Sequence, residues 1–259
     1  MYFDYFEMLS GEPIPVNGVG HIKSPSLRDI FPTSGIGYKG YNLYLNVLTW
    51  DKERLLKYIQ ILRNKDSSKL DRENFLFFDI ATLLEPTREL CRGMLSFFMV
   101  EQIEWDEKNR SFVTFVDLDG RKKVVGRVNR DNFDKVREMM LQANFIGLNK
   151  DSTPIRHSDD KTKELWERAQ KHLEDLAKAD NGHEEKAEYR MGNIVSKLSS
   201  VHPSYNLLNV FDLTVFQLYD AFFQVGYLRS ANLSEQIFSN HGGEKFNFED
   251  WLKPILNYE

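Results

Sequence analysis

Chemistry in this chain would have to start from a few residue groupings, and each also has a purely architectural reading. Gly35-Ile36-Gly37-Tyr38-Lys39-Gly40 has the Gly-x-Gly-x-x-Gly spacing that lets a backbone approach a phosphate at a helix N-terminus. That use needs a strand to deliver the loop. Phe31-Pro32-Thr33-Ser34 cannot be a central parallel strand, and no βαβ alternation follows. No Val-Ala-Ile-Lys, His-Arg-Asp or Asp-Phe-Gly string is present either, so the stretch reads as entry into a helix. The six histidines, His21, His157, His172, His183, His202 and His241, lie far apart without the i, i+4 spacing that places two imidazoles on one metal, so no metal or other cofactor is expected. His202 before Pro203 and His241 before Gly242-Gly243 read as turn residues. Asp117-Leu118-Asp119-Gly120 resembles part of a calcium loop but lacks the third acidic position and the distal glutamate, and reads as a hairpin turn. Cys91 sits beside Leu90, Met94 and Leu95 and reads as a small buried apolar residue. No nucleophile elbow, Walker string or paired-carboxylate motif is present, so no catalytic residue is assigned and the chain is expected not to be an enzyme.

The aromatics near the end of the chain suggest binding. Residues 205–259 hold twelve aromatics against ten charges. Phe211, Phe216, Tyr219, Phe222, Phe223 and Tyr227 exceed what one helical face needs, and Phe246, Phe248 and Trp251 follow across Gly242-Gly243. Phe216, Tyr219, Phe222, Phe223, Tyr227, Phe246, Phe248 and Trp251 are therefore expected to line a groove for an apolar helical guest. The competing reading is that these rings are core.

Several elements must position these side chains. Residues 1–32 are apolar pieces broken by Gly and Pro, expected as an extended N-terminal arm or a short hairpin around Asn17-Gly18. Tyr38, Tyr41, Leu45 and Leu48 recur at helical spacing. Asp51 can cap a second helix bearing Leu55, Ile59 and Leu62, and helices are expected over 71–84 and 86–98, the latter with Pro86 in its first turn. The period then changes to two over 99–105, 111–116 and 123–128, which predicts a three-stranded antiparallel meander at about 99–128. Asn129 or Asp131 then caps a helix turning Phe133, Val136, Met140 and Ala143 inward.

Residues 144–158 read as a linker. Residues 159–188 carry sixteen charges in thirty residues with a thin stripe of Leu165, Ala169, Leu173 and Leu176, predicting a solvated helix over 159–178 before a polar loop. Thr214 and Gln217 fit a capping box, as do Asn232 and Glu235. The expected fold is mainly α with a small antiparallel three-stranded β-meander (α+β). It divides into an arm at 1–32, a helical domain at 33–143 holding the meander, the linker, and a C-terminal helical region at 159–259 with its aromatic-rich tail at 205–259.

The totals bound the partners. The chain has 259 residues, 41% apolar and 28% charged, a net charge of −5, one cysteine and 34 aromatics (19 Phe, 11 Tyr, 4 Trp). A mildly acidic protein without a sustained basic surface is not expected to bind nucleic acid. Apolar runs such as 95–100 are far short of a membrane span, and a lone cysteine allows no internal disulfide, so a cytoplasmic protein without a membrane partner is expected.

Leu9-Ser10-Gly11-Glu12-Pro13-Ile14-Pro15-Val16, Ile22 to Ile30 and the Tyr38/Tyr41/Tyr44 helix resemble proteins of the tail-morphogenesis cassettes of long-tailed bacteriophages. Thr214 to Phe223 is similar to helices of their tail assembly chaperones. The resemblance covers the first fifty residues and part of the last fifty. It implies a mainly helical, non-enzymatic tail assembly chaperone that holds apolar helical segments of the tape measure protein, or another tail protein, in the host cytoplasm, with self-association among its expected contacts. Two alternatives stand beside it: a structural or adaptor component that stays in the phage particle, whose arm would add to a neighbour, and an enzyme with an unrecognised site.

Overall fold

The structure is a computed structural model that describes residues 2–33, 35–63, 75–146 and 191–241. Among these residues are eight α-helices and five strands. The chain opens with α1 (Tyr5–Ser10), capped by Asp4, whose carboxylate accepts from the Phe6 N–H while Glu7 reaches back to the Asp4 N–H. The hairpin β1 (Ile14–Val16) and β2 (Gly20–Ile22) follows, then a single 3-10 turn at Leu27–Ile30. Helices α2 (Gly37–Thr49) and α3 (Lys52–Arg63) meet at Asp51, whose carboxylate accepts from the Arg54 N–H at 2.8 Å as a cap should. Helices α4 (Phe77–Leu83) and α5 (Glu85–Phe98) lead to the meander of β3 (Gln102–Asp106), β4 (Ser111–Leu118) and β5 (Arg121–Val128). Pro86 lies in the first turn of α5, where its missing N–H costs nothing. After α6 (Phe133–Ala143), the described chain resumes with α7 (Met191–Val201) and ends in α8 (Val215–His241).

The expectation of a mainly helical chain with one small meander is corrected by the N-terminal region. Among the described residues there are two separate antiparallel sheets, β1–β2 and β3–β4–β5, and the class is mixed α+β. The first sheet carries little local signal, its strands being three residues long, with Pro15 in the middle of β1 and Gly20 at the start of β2. It persists because it docks. Ile22 bridges Met99, Val100 donates to the His21 carbonyl at 3.1 Å, and Lys23 donates to the Phe98 carbonyl at 2.9 Å. The meander itself stands in the expected stretch, with Phe112 opposite Trp105 and Val128, and a bulge where β5 passes Thr114 and Phe115. Its second turn is the expected hairpin turn: Asp119 and Gly120 take left-handed φ of 53° and 78°, and the Gly120 N–H bonds the Asp117 carboxylate at 2.8 Å.

The stretch 2–33 contributes to the core. Phe3, Met8, Val19, Ile22, Leu27 and Ile30 are buried in the same cluster as Leu45, Met94, Phe98, Phe133 and Phe216. Gln142 of α6 fastens its start, accepting from the Tyr2 N–H at 2.9 Å and donating to the Phe3 carbonyl at 3.0 Å. The linker beyond 146, the charged helix at 159–178 and the loop after it lie outside the described residues, as do 71–74 of the expected helix over 71–84.

Candidate functional site

The candidate groove is built on α8, and the start of that helix is locally encoded. Thr214 Oγ1 accepts from the Gln217 N–H at 3.2 Å, while Gln217 Oε1 accepts from the Thr214 N–H at 3.0 Å, the reciprocal capping box that the two residue types allow. Gln217 also donates from Nε2 to the Leu9 carbonyl at 2.8 Å, so one side chain caps α8 and closes the end of α1. The segment ahead of the helix pairs with the N-terminal stretch: Leu27 donates to the Leu213 carbonyl and Val215 to the Pro25 carbonyl, each at 2.9 Å.

From there the rings turn inward. Phe216, Tyr219, Phe223 and Tyr227 are buried, and Phe222 is partly buried against the core. The reason is Phe145, which fell within the expected linker. It sits just past α6 at a left-handed φ of 64°, and that backbone turn drives its ring between the α8 aromatics, with centroids 5.1 Å from Phe216, 6.0 Å from Tyr219 and 5.5 Å from Phe223. These three rings therefore pack on the chain's own phenylalanine. No local signal marks Phe145 for this role, since its position depends on how α6 ends. Phe246, Phe248 and Trp251 lie outside the described residues.

Beyond Tyr227 the helix changes character. Leu228 and Leu233 are 41% and 58% exposed, and at about 100° per residue they stand roughly 140° apart around the axis, so these two leucines meet solvent on different sides of the helix.

The first half of α8 also holds a carboxylate in an unusual setting. Asp220 is partly buried, and desolvation pushes its pKa above the ordinary carboxylate range, although hydrogen bonds from the Tyr5 hydroxyl, at 2.7 Å, and from Gln224 oppose the shift. A folded-state pKa above the unfolded value favours folding below the unfolded pKa, and that contribution is lost as pH rises through the folded value. At neutral pH the ionised Asp220 therefore costs stability. The Asp220→Asn variant keeps an acceptor for Tyr5 without the charge, and its melting temperature at pH 7 should exceed the parent's by about 2 °C, the gain shrinking as pH approaches 4. Thermal denaturation at the two pH values checks this, and a lower melting temperature for the variant at pH 7 refutes it.

The other candidate chemistry resolves into architecture. Cys91 is buried, and desolvation pushes its thiol up to about 12, so it carries no thiolate at neutral pH. His21 Nδ1 lies 2.6 Å from Glu101 Oε1, and the other carboxylate oxygen accepts from the His21 N–H at 2.9 Å, which fixes the hairpin to the start of β3. Gly20 allows that approach, because at φ 135° a Cβ would lie 2.6 Å from the carboxylate. His202 stacks on Tyr205 in the loop after α7, while His157, His172 and His183 lie outside the described residues. Gly37 begins α2, so the glycine-rich string is a helix entry. Among the described residues no group of three or more His, Cys, Asp or Glu could hold a metal ion, and no helix is long and apolar enough to cross a membrane.

Residues 182–256, less than a third of the chain, match the family model of the YomV second domain, a phage-associated family. No curated protein and no solved structure matches the chain. The matched stretch contains α7, α8 and the segment that pairs with residues 25–27.

Proposed function

We propose that this chain is a non-enzymatic protein-binding factor of phage tail morphogenesis, acting in the host cytoplasm as an assembly chaperone for apolar helical segments of the tape measure protein. The observation that carries this reading is the split character of α8. Its first half is consumed by the core and its second half offers Leu228 and Leu233 to solvent, within the stretch that matches a phage-associated family. The contact surface proposed for the client is accordingly this second half and not the buried rings of Phe216, Tyr219, Phe223 and Tyr227. The adaptor alternative drew on a free arm at 1–32, and the burial of Phe3, Met8, Val19 and Ile22 takes that support away.

Co-expression with the tape measure protein tests the proposal. A soluble complex should survive size exclusion, and the double variant Leu228→Asp/Leu233→Asp should weaken it by about tenfold or more while leaving the melting temperature within a few degrees. An insoluble client, or a complex indifferent to the two substitutions, overturns the reading. Proteomics of purified particles separates it from an adaptor, since a chaperone is absent there and an adaptor is present at fixed stoichiometry.

A further inference from the structure

The β4–β5 ribbon outruns the sheet that supports it. Pairing between β3 and β4 runs from Asp106–Ser111 to Gln102–Phe115 and stops there, whereas β4 and β5 stay paired through Val116–Lys123, Asp117–Lys122 and Leu118–Arg121. Every residue from Asp117 to Val125 is exposed, including the apolar Leu118 (53%), Val124 (53%) and Val125 (37%). An unsupported two-stranded ribbon is marginally stable, and these apolar side chains stand in solvent without a layer packed over them. Among the described residues, the outer edge of β5 is closed at its far end alone, where the Arg127 N–H donates to the Gly18 carbonyl at 2.9 Å. From Arg121 to Val125 the described residues supply no backbone partner other than β4.

Charge selects what can pair there. Lys122 is engaged on one face, with its ammonium 4.7 Å from the Phe115 ring centroid and in an ion pair with Glu104. Arg121 and Lys123 lie on the other face, opposite Leu118 and Val116, and no carboxylate among the described residues pairs with either. Edge lysines commonly serve only to block unwanted strand pairing, and here they do block one case: a second copy meeting this edge would set cations against cations. Blocking alone does not account for the exposed Leu118 and Val124. In a protein of net charge −5, residues 121–123 of this strand are a run of three cations.

The geometry points to the β5 edge as a strand-addition site for an extended acidic segment of a partner protein. Carboxylates at alternate positions would lie beside Arg121 and Lys123, with apolar residues between them on the Val124 face. This site is independent of the α8 reading, so the two succeed or fail separately.

The test uses the full chain and an acetylated heptapeptide of alternating glutamate and valine, with a lysine–valine heptapeptide and a short duplex DNA as comparisons. The acidic peptide should bind with a dissociation constant of about 100 µM and slow amide exchange over 121–125. The Arg121→Glu/Lys123→Glu variant should lose about tenfold in affinity, and Lys123→Ala about threefold, the latter serving if the double variant does not fold. Added salt should weaken binding, as exposed charges require. No binding at about 1 mM, equal binding of the basic peptide, unchanged affinity in both variants, or protection of 121–125 by DNA but not by the acidic peptide would each overturn the proposal.

Discussion

Replacing Arg137 by methionine should destabilise the protein by about 3 to 5 kcal/mol, read from the urea midpoint and slope. The residue is only 9% exposed, and burial pulls its pKa down, yet a guanidinium stays charged in a protein. Its charge is met by carbonyl oxygens. Nε and Nη2 donate to the Leu48 carbonyl at 3.0 and 2.6 Å, and Nη2 also donates to the Trp50 carbonyl. These are acceptors left open where α2 ends and the chain turns toward α3, so a residue of α6 supplies what the helix terminus lacks. The plane of the guanidinium lies over Phe77, 4.1 Å from the ring centroid, and Asp134 accepts from Nη1 at 3.2 Å. Methionine can fill the volume beside Phe77 but offers no donor, leaving both carbonyls desolvated and unpaired. Arg137→Lys should recover part of the loss, because one ammonium keeps the charge without the planar fork. A methionine variant as stable as the parent would show that water replaces the guanidinium at the end of α2.

Arg137 also illustrates where sequence reading stops. The inward face of α6 was legible from spacing, since Phe133, Val136, Met140 and Ala143 are all buried as periodicity requires, but an arginine on that helix gives no local sign that it will cap α2. Several features closed within a few residues were legible: the Asp51 cap, the Thr214–Gln217 box, Pro86 in a first turn, the Asp119-Gly120 hairpin; the Asn232–Glu235 pair, equally local, instead lies inside the unbroken α8 and starts no helix. The docked β1–β2 sheet was legible only as a turn at Asn17-Gly18, because its stability comes from Phe98, Met99 and Val100, some eighty residues away. The placement of the α8 aromatics depends on distant residues in the same way. Composition reveals a surplus of rings, but whether a surplus lines a groove or fills a core depends on Phe145, and that is settled by tertiary packing.

The same dependence on distant partners makes the stretch that matches the YomV second domain structurally continuous with the start of this chain. Leu9, Ser24, Pro25 and Leu27 bond Gln217, Phe216, Val215 and Leu213 respectively, and Tyr5 reaches Asp220. Within this protein α8 is thus set in place by residues 5–27, and its exposed half is presented from a core to which both ends of the described chain contribute.

The second large effect is expected at Gly126, where the two sheets touch. Gly126→Ala should cost about 3 kcal/mol, whereas Gly120→Ala should cost about 1 kcal/mol. A Cβ on Gly126 would stand 2.4 Å from the Gly18 carbonyl oxygen and 2.6 Å from the Val19 nitrogen, both backbone atoms of the β1–β2 turn that no rotamer change can move aside. The turn would have to lift. Lifting it breaks the bond from the Thr114 hydroxyl to the Val19 carbonyl and the bond from the Arg127 N–H to the Gly18 carbonyl, and it loosens Val19 and Ile22 from the core. Thr114 lies directly opposite Gly126, so a short side chain and an absent one together make the seat for the turn. Gly120 has left-handed φ but nothing within 4 Å of a Cβ, so alanine there meets only the conformational cost. Amide exchange locates the damage: in Gly126→Ala the Arg127 and Val100 amides should lose protection together, because both bond the hairpin, while Gly120→Ala should leave both protected. Equal losses of stability in the two variants would mean that the hairpin shifts at no cost, and that the contact between the sheets does not hold the N-terminal stretch in place.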